Sequence, residues 1–136
     1  MQRQAYRINK TGSTSNLKLV TEELANPASE EVQVEVHAVG LNFADVFAIH
    51  GLYSATPKGS FVPGLEFSGI VTVVGSEVSN FKVGDRIMGV TRFGGYASHI
   101  NIDDRHVVHL ADDWTFEEGA SYLVQGMTAY YALKEL

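Results

Sequence analysis

Few side chains in this 136-residue chain could do chemistry at neutral pH, and none of them is a cysteine. A thiolate nucleophile, a disulfide framework and any Cys-containing zinc site are therefore excluded. Five histidines (37, 50, 99, 106 and 109) invite a metal reading. His106 and His109 are three apart on what reads as a strand, so they should face opposite sides. His37 falls on the polar phase of its strand, and only His50 lies near the other candidates. Ordinary surface or internally bonded histidines are the expectation, and no metal site is assigned. Glu66 is a lone carboxylate, which is poor metal chemistry without neighbouring ligands. Pairing with a base such as Arg86 or Arg92 is its expected role. Asn42 follows a strand and opens a helix, where a side chain can point into a cleft and where Asn also serves as an N-cap. Tyr53 stands just beyond that helix. A phenol with a pKa near ~10 stays protonated at neutral pH and can donate to a developing oxyanion. As a packing residue, Tyr53 would instead lie half-buried under a loop with its hydroxyl on water or backbone.

The elements that must hold these residues are mostly strands. In Glu31 to Ala38 apolar and polar side chains alternate strictly, the pattern of a half-buried strand. Leu17–Thr21 and, more weakly, Gln4–Ile8 read as earlier strands. Phe67–Val74 is rich in β-branched residues and suits a strand buried on much of both faces. Arg86–Val90, Tyr96–Ile102 and His106–Leu110 complete the β content. Turn residues fall between them, at Asn26-Pro27, Ser79-Asn80, Gly84-Asp85, Gly94-Gly95 and Asp103-Asp104. Helical spacing joins Phe43, Val46, Phe47 and His50, with Gly51 able to end the helix. A second helical stretch starts at a capping box, Thr115 with Glu118, and runs to Leu136 with an interruption expected near Gly126. Many short strands at this spacing predict a mainly β domain, a sandwich or partly open barrel.

Composition bounds the function. The chain is 45% hydrophobic, enough for one real core, and carries a formal charge of −6 with only ten scattered Lys and Arg. Nucleic acid would need a clustered basic face. The apolar-rich run Ile70–Val74 is far short of the roughly 20 residues that span a bilayer. No G-x-G-x-x-G dinucleotide turn occurs.

Four fragments in order carry a family resemblance: Val39-Gly40-Leu41-Asn42-Phe43-Ala44-Asp45, Val62-Pro63-Gly64-Leu65-Glu66-Phe67-Ser68-Gly69, Val83-Gly84-Asp85-Arg86-Ile87-Met88-Gly89 and Phe93-Gly94-Gly95-Tyr96-Ala97. The chain resembles the N-terminal, GroES-like catalytic domain of the medium-chain dehydrogenase/reductases. Zinc members carry a Cys where this chain has Asn42, and Gly-His-Glu where it has Gly64-Leu65-Glu66. Neither Asn nor Leu is a useful zinc ligand. Gly89 also runs into Phe93-Gly94-Gly95 with no room for a structural-zinc lobe. The resemblance thus points to the zinc-free, quinone oxidoreductase-like branch.

That resemblance implies a GroES-like partly open β-barrel with a short helix after the third strand and C-terminal helices. It places residues 1–124 in the substrate-side domain. Residues 125–136 would begin a linker helix into a Rossmann domain, since the apolar helical pattern reaches Leu136 without a stop signal. It further implies hydride transfer from NADPH to a quinone or an α,β-unsaturated carbonyl, with no zinc. Asn42 and Tyr53 would hold the acceptor carbonyl, and Tyr53 would be a candidate proton donor. Asn42, Phe43, Gln125 and Thr128 would lie along the cofactor. This stretch alone would be inactive, whereas the full-length enzyme would be a cytoplasmic homodimer with a small-molecule substrate and no nucleic-acid partner. Two alternatives stay open: an enoyl-thioester reductase of the same superfamily, and a non-catalytic GroES-like binding module.

Overall fold

The computed structural model describes residues 1–135. Its seven strands are β1 (Gln2–Ile8), β2 (Leu17–Glu23), β3 (Glu31–Gly40), β4 (Glu66–Val74), β5 (Arg86–Val90), β6 (His99–Asp103) and β7 (Val107–His109). Three helices accompany them: α1 (Phe43–His50), α2 (Phe116–Ala120) and α3 (Leu123–Glu135). Strands β1 and β2 form an antiparallel ribbon, and the other five make an antiparallel sheet in the order β6-β3-β4-β5-β7. Single bridges, Ala5 to Ala97 and Ile8 to Phe61, tie the ribbon to the rest. The result is mostly β and not closed, a partly open barrel.

Alternation in β3 places Val32 and Val34 wholly inside, where they meet Phe67, Val71, Ile87 and Ile100. Each such side chain contributes on the order of 1.5–3 kcal/mol by leaving water. The strict alternation does not hold throughout. The β3–β4 register shifts between Gln33 and Val34, and Gln33 is buried despite its polarity. Its amide is satisfied at 3.0 Å by the Asn101 side chain on β6, which offsets the desolvation. Strand β4 lies between β3 and β5, and its first four residues, Glu66 to Gly69, are all buried.

A second cluster, Ile8, Ala48, Ile49 and Phe61, seats α1 against β1. Gly51 ends α1 with φ 75°, and its N–H bonds back to Ala48 and Phe47, a left-handed cap that glycine adopts without a Cβ penalty. The predicted capping box opens α2: Glu118 accepts the Thr115 N–H at 2.7 Å, and the Thr115 hydroxyl accepts the Glu118 N–H at 3.1 Å.

Three boundary expectations need correction. The break in the C-terminal helical stretch falls at Ser121–Tyr122, and Gly126 lies inside α3. The strand expected over Tyr96–Ile102 is regular only from His99, because Tyr96 and Ala97 turn aside to bond Pro63, Tyr6 and Ala5 of other segments. His106 closes a single 3-10 turn over Asp104–His106, so it does not share a strand with His109.

Candidate functional site

Asn42 stands where β3 gives way to α1. Its backbone N–H donates to Asp45 Oδ2 at 2.9 Å, closing the first turn of the helix. The Asp45 N–H donates to the Asn42 backbone carbonyl at 3.0 Å and also faces the Asn42 side chain, the reciprocal arrangement of a capping box, without a regular side-chain hydrogen bond. The Asn42 amide nitrogen turns inward, and Nδ2 donates to Glu66 Oε1 at 2.9 Å.

Glu66 is the first residue of β4 and only 1% exposed. The expected pairing with Arg86 or Arg92 is absent. Arg86 spends its guanidinium on the carbonyls of Ala111, Asp112 and Trp114 and lies 4.8 Å from the Phe116 ring centroid, pinning the loop before α2. The second oxygen of Glu66, Oε2, accepts the backbone N–H of Val124 at 2.9 Å, one of the unpaired donors in the first turn of α3. Negative charge at a helix N-terminus is favourable, so two neutral donors and a helix end stand in for a cation. Gly40 makes room for this carboxylate. A Cβ there would approach Glu66 Cγ and Oε1 at 2.5 Å and strike the Ala120 carbonyl.

Asp45, 3% exposed, supports the same corner. Its Oδ2 also accepts the Tyr96 hydroxyl at 2.8 Å. Burial raises the Asp45 pKa, opposed by hydrogen bonds from Asn42, Tyr96 and Gly64, and the net direction is upward. The Tyr96 phenol is held well above its ordinary range, by burial first and then by its bond to Asp45 and that residue's charge. Sequence reasoning gave neither residue a role. The spacing Asn42-x-x-Asp45 was the available signal, an N-cap residue with an acidic residue at the third helical position.

The other candidates are spread out. Phe43 is 84% exposed at the start of α1. Tyr53 is half-buried, its ring packed against the Ile8–Phe61 cluster. Asn42 and Tyr53 therefore flank opposite ends of α1, whose eight residues span about 12 Å. Gln125 and Thr128 are exposed on α3, and the Thr128 hydroxyl donates to its own helix at the Val124 carbonyl, 2.6 Å away. The Glu66–Val124 bond links the Asn42 corner to that helix. His50 is exposed, and His37 stacks on Phe116 with ring centroids 4.5 Å apart. Among the described residues, no three His, Asp or Glu side chains gather as metal ligands, and no helix is long and apolar enough to cross a membrane. A mostly apolar groove of about 450 Å³ lies between the β1–β2 ribbon and the end of β3, lined by Tyr6, Leu17, Leu19, Val39 and Leu41 among others. None of the five candidate residues lines it.

This open sheet, the helix after its third strand and the buried Glu at the head of β4 define a class. Residues 28–112, more than half of the chain, match the alcohol dehydrogenase GroES-like domain. The chain belongs to that family, and the relatives it resembles include quinone oxidoreductases. Over 132 residues it is 39% identical to the quinone oxidoreductase of Lama guanicoe, covering 95% of this chain and 40% of that protein. The crystal structure of the human synaptic vesicle membrane protein VAT-1 homolog-like protein superposes with a TM-score of 0.96 at 32% identity, covering 99% of this chain and 44% of that one. Escherichia coli quinone oxidoreductase complexed with NADPH gives a TM-score of 0.89 at 35% identity, over 98% of this chain and 40% of that one. The chain thus spans less than half the length of these relatives.

Proposed function

We propose that this chain is the substrate-side domain of a zinc-independent, NADPH-dependent reductase acting on quinones or α,β-unsaturated carbonyls. In that reading residues 1–124 form the domain, and 125–136 lead along α3 toward a cofactor-binding partner domain. The observation that carries it is the Asn42 corner. A half-buried amide is fastened from behind by Glu66, with an exposed aromatic, Phe43, beside it and α3 tied to the same carboxylate. Where zinc relatives place a Cys, the chain presents a neutral group that can pair with another amide or a carbonyl.

The donor set fits a nicotinamide ring better than a metal. An Asn42 amide has an acceptor oxygen and a second Nδ2 hydrogen beyond the one given to Glu66, which matches a primary carboxamide. Bound NADPH would supply the hydride, and the protein's part is orientation and charge stabilisation. Asn42 orients a carboxamide or an acceptor carbonyl. Phe43 offers an apolar face to a ring. Tyr53 donates its hydroxyl proton to the oxygen on which negative charge develops. Gln125 and Thr128 line the approach from α3. The native protein is read as a cytoplasmic homodimer.

The test begins with the mass of the native protein, detected in its own cells by an antibody to this domain. A species large enough for an added cofactor domain supports the reading, and steady-state assays of that protein with NADPH, quinones and acyl-thioester enones then define the acceptor. A species of 14.9 kDa overturns it and leaves a non-catalytic binding module. Within the active protein, Tyr53→Phe should lower kcat/KM by about 10²-fold or more. An unchanged kcat/KM would remove the hydroxyl from the mechanism.

A further inference from the structure

Glu66 is a buried carboxylate that accepts at both oxygens, yet no cation touches it among the described residues. An ionised carboxylate has acceptors and no donor, so only a donor can face it. The Asn42 side chain carries both, a carbonyl oxygen and an NH₂, and a half-turn about its last bond exchanges them. Opposite a carboxylate one of the two settings is excluded.

We propose that Glu66 is a positioning residue. It locks the Asn42 amide with its nitrogen toward the carboxylate and its oxygen toward the first turn of α1, and couples that setting to the first turn of α3. The consequence for ligands rests on the reading above: an amide held in one setting presents its oxygen and its remaining Nδ2 hydrogen in fixed places, so a bound carboxamide or carbonyl has one matching orientation. The second bond matters as much as the first. Val124 N–H belongs to the main chain and cannot turn, so it fixes which way the Glu66 carboxylate lies. Gly40 admits no Cβ beside the carboxylate, which leaves it no second seat on that side. A shift of α3 therefore reaches Asn42 through one side chain.

Substitution separates the lock from mere packing. In Glu66→Gln the shape is kept, but one oxygen becomes an NH₂. The fixed Val124 N–H takes the remaining oxygen, so the new NH₂ confronts Asn42, which must turn its own oxygen inward. Asn42→Asp alone sets two carboxylates face to face. The double variant N42D/E66Q restores one donor between two acceptors.

The experiment is NMR on the isotope-labelled chain, reading scalar coupling across hydrogen bonds, combined with amide exchange and thermal melts. Wild type should show coupling from Asn42 Nδ2 to the Glu66 carboxylate carbon. E66Q should lose it, gain coupling from the introduced side-chain amide nitrogen to the Asn42 side-chain carbon, and keep Val124 exchange within about twofold of wild type. E66A should speed Val124 exchange about tenfold or more, the scale of losing one protecting bond. N42D should melt lowest, with N42D/E66Q recovering at least half of its lost Tm. Absence of the wild-type coupling in a folded spectrum overturns the proposal, as does a double variant no more stable than N42D. No readout involves a nicotinamide, so a longer protein without reductase activity would refute the preceding reading and leave this one standing.

Discussion

Asp45 shows how one carboxyl responds to two opposed influences. Burial lifts its pKa above the ordinary 3.8, and the donors around it restrain the rise without cancelling it. A carboxyl whose pKa is higher in the folded than in the unfolded state contributes stability that is fully present below the unfolded value. That contribution is lost as the pH rises through the folded one. The Tm of wild type relative to Asp45→Asn should therefore fall as the pH is raised from 3.8, measured by calorimetry from acid to neutral pH. A difference that grows with pH would contradict the assignment. Tyr96→Phe removes one donor from a buried acceptor and should cost about 1–3 kcal/mol in denaturant unfolding. At Gly40 the obstacle is steric and partly main chain, since the Ala120 carbonyl cannot swing aside. Gly40→Ala should lose about 1–3 kcal/mol by overpacking, read in the same melts.

At the level of elements, the β1–β2 ribbon is held by charge as well as by its ladder. Glu22 on β2 accepts Arg3 at 2.7 Å and Arg7 at 2.7 Å, both from β1. Burial pushes the Glu22 carboxyl up, but the hydrogen bonds and charges of the two arginines outweigh it and the net direction is down. Stability from a lowered carboxyl pKa is present above the unfolded value, 4.5, and is lost as the pH falls through the folded one. Glu22→Gln should cost about 1 kcal/mol at neutral pH, with the gap in Tm closing below pH 4.5. Strands, α1 and its glycine cap were legible because each rests on local periodicity or turn chemistry. Val32 and Val34 sit where alternation puts them, and Gly51 does what its position predicts. What stayed hidden depended on partners distant in sequence. Glu66 takes donors 24 and 58 residues away, so no local pattern could prefer Asn42 and Val124 over Arg86 and Arg92. Tyr96 stands outside its expected strand for the same reason: its main chain bonds Pro63 and Tyr6, and its hydroxyl reaches Asp45 across 51 residues. Gly126 misled through low helix propensity, which the rest of α3 overrides.

For the molecule as a whole, burial is uneven. The sheet and α1's inner face are packed, whereas α3 buries none of its 13 residues and exposes Tyr130, Tyr131 and Leu133. Leu41, Phe43 and Leu52 are similarly open around α1. Serine at Phe43 or Leu133 should leave stability within about 0.5 kcal/mol, because neither side chain loses a packed environment. The same variants should reduce self-association in sedimentation equilibrium if these faces adhere to one another, and a Tm loss of several degrees would show hidden packing. The strand order has a consequence in time. The ribbon's partners are near neighbours in sequence, Ile8 with Leu17 at its turn end, but β3 cannot complete its pairing until Asp103 returns to Glu31. Closing loops of that length before any contact rewards them slows folding. Stopped-flow refolding should accordingly proceed in milliseconds to seconds, with the hairpin forming first and the outer strand β6 docking late.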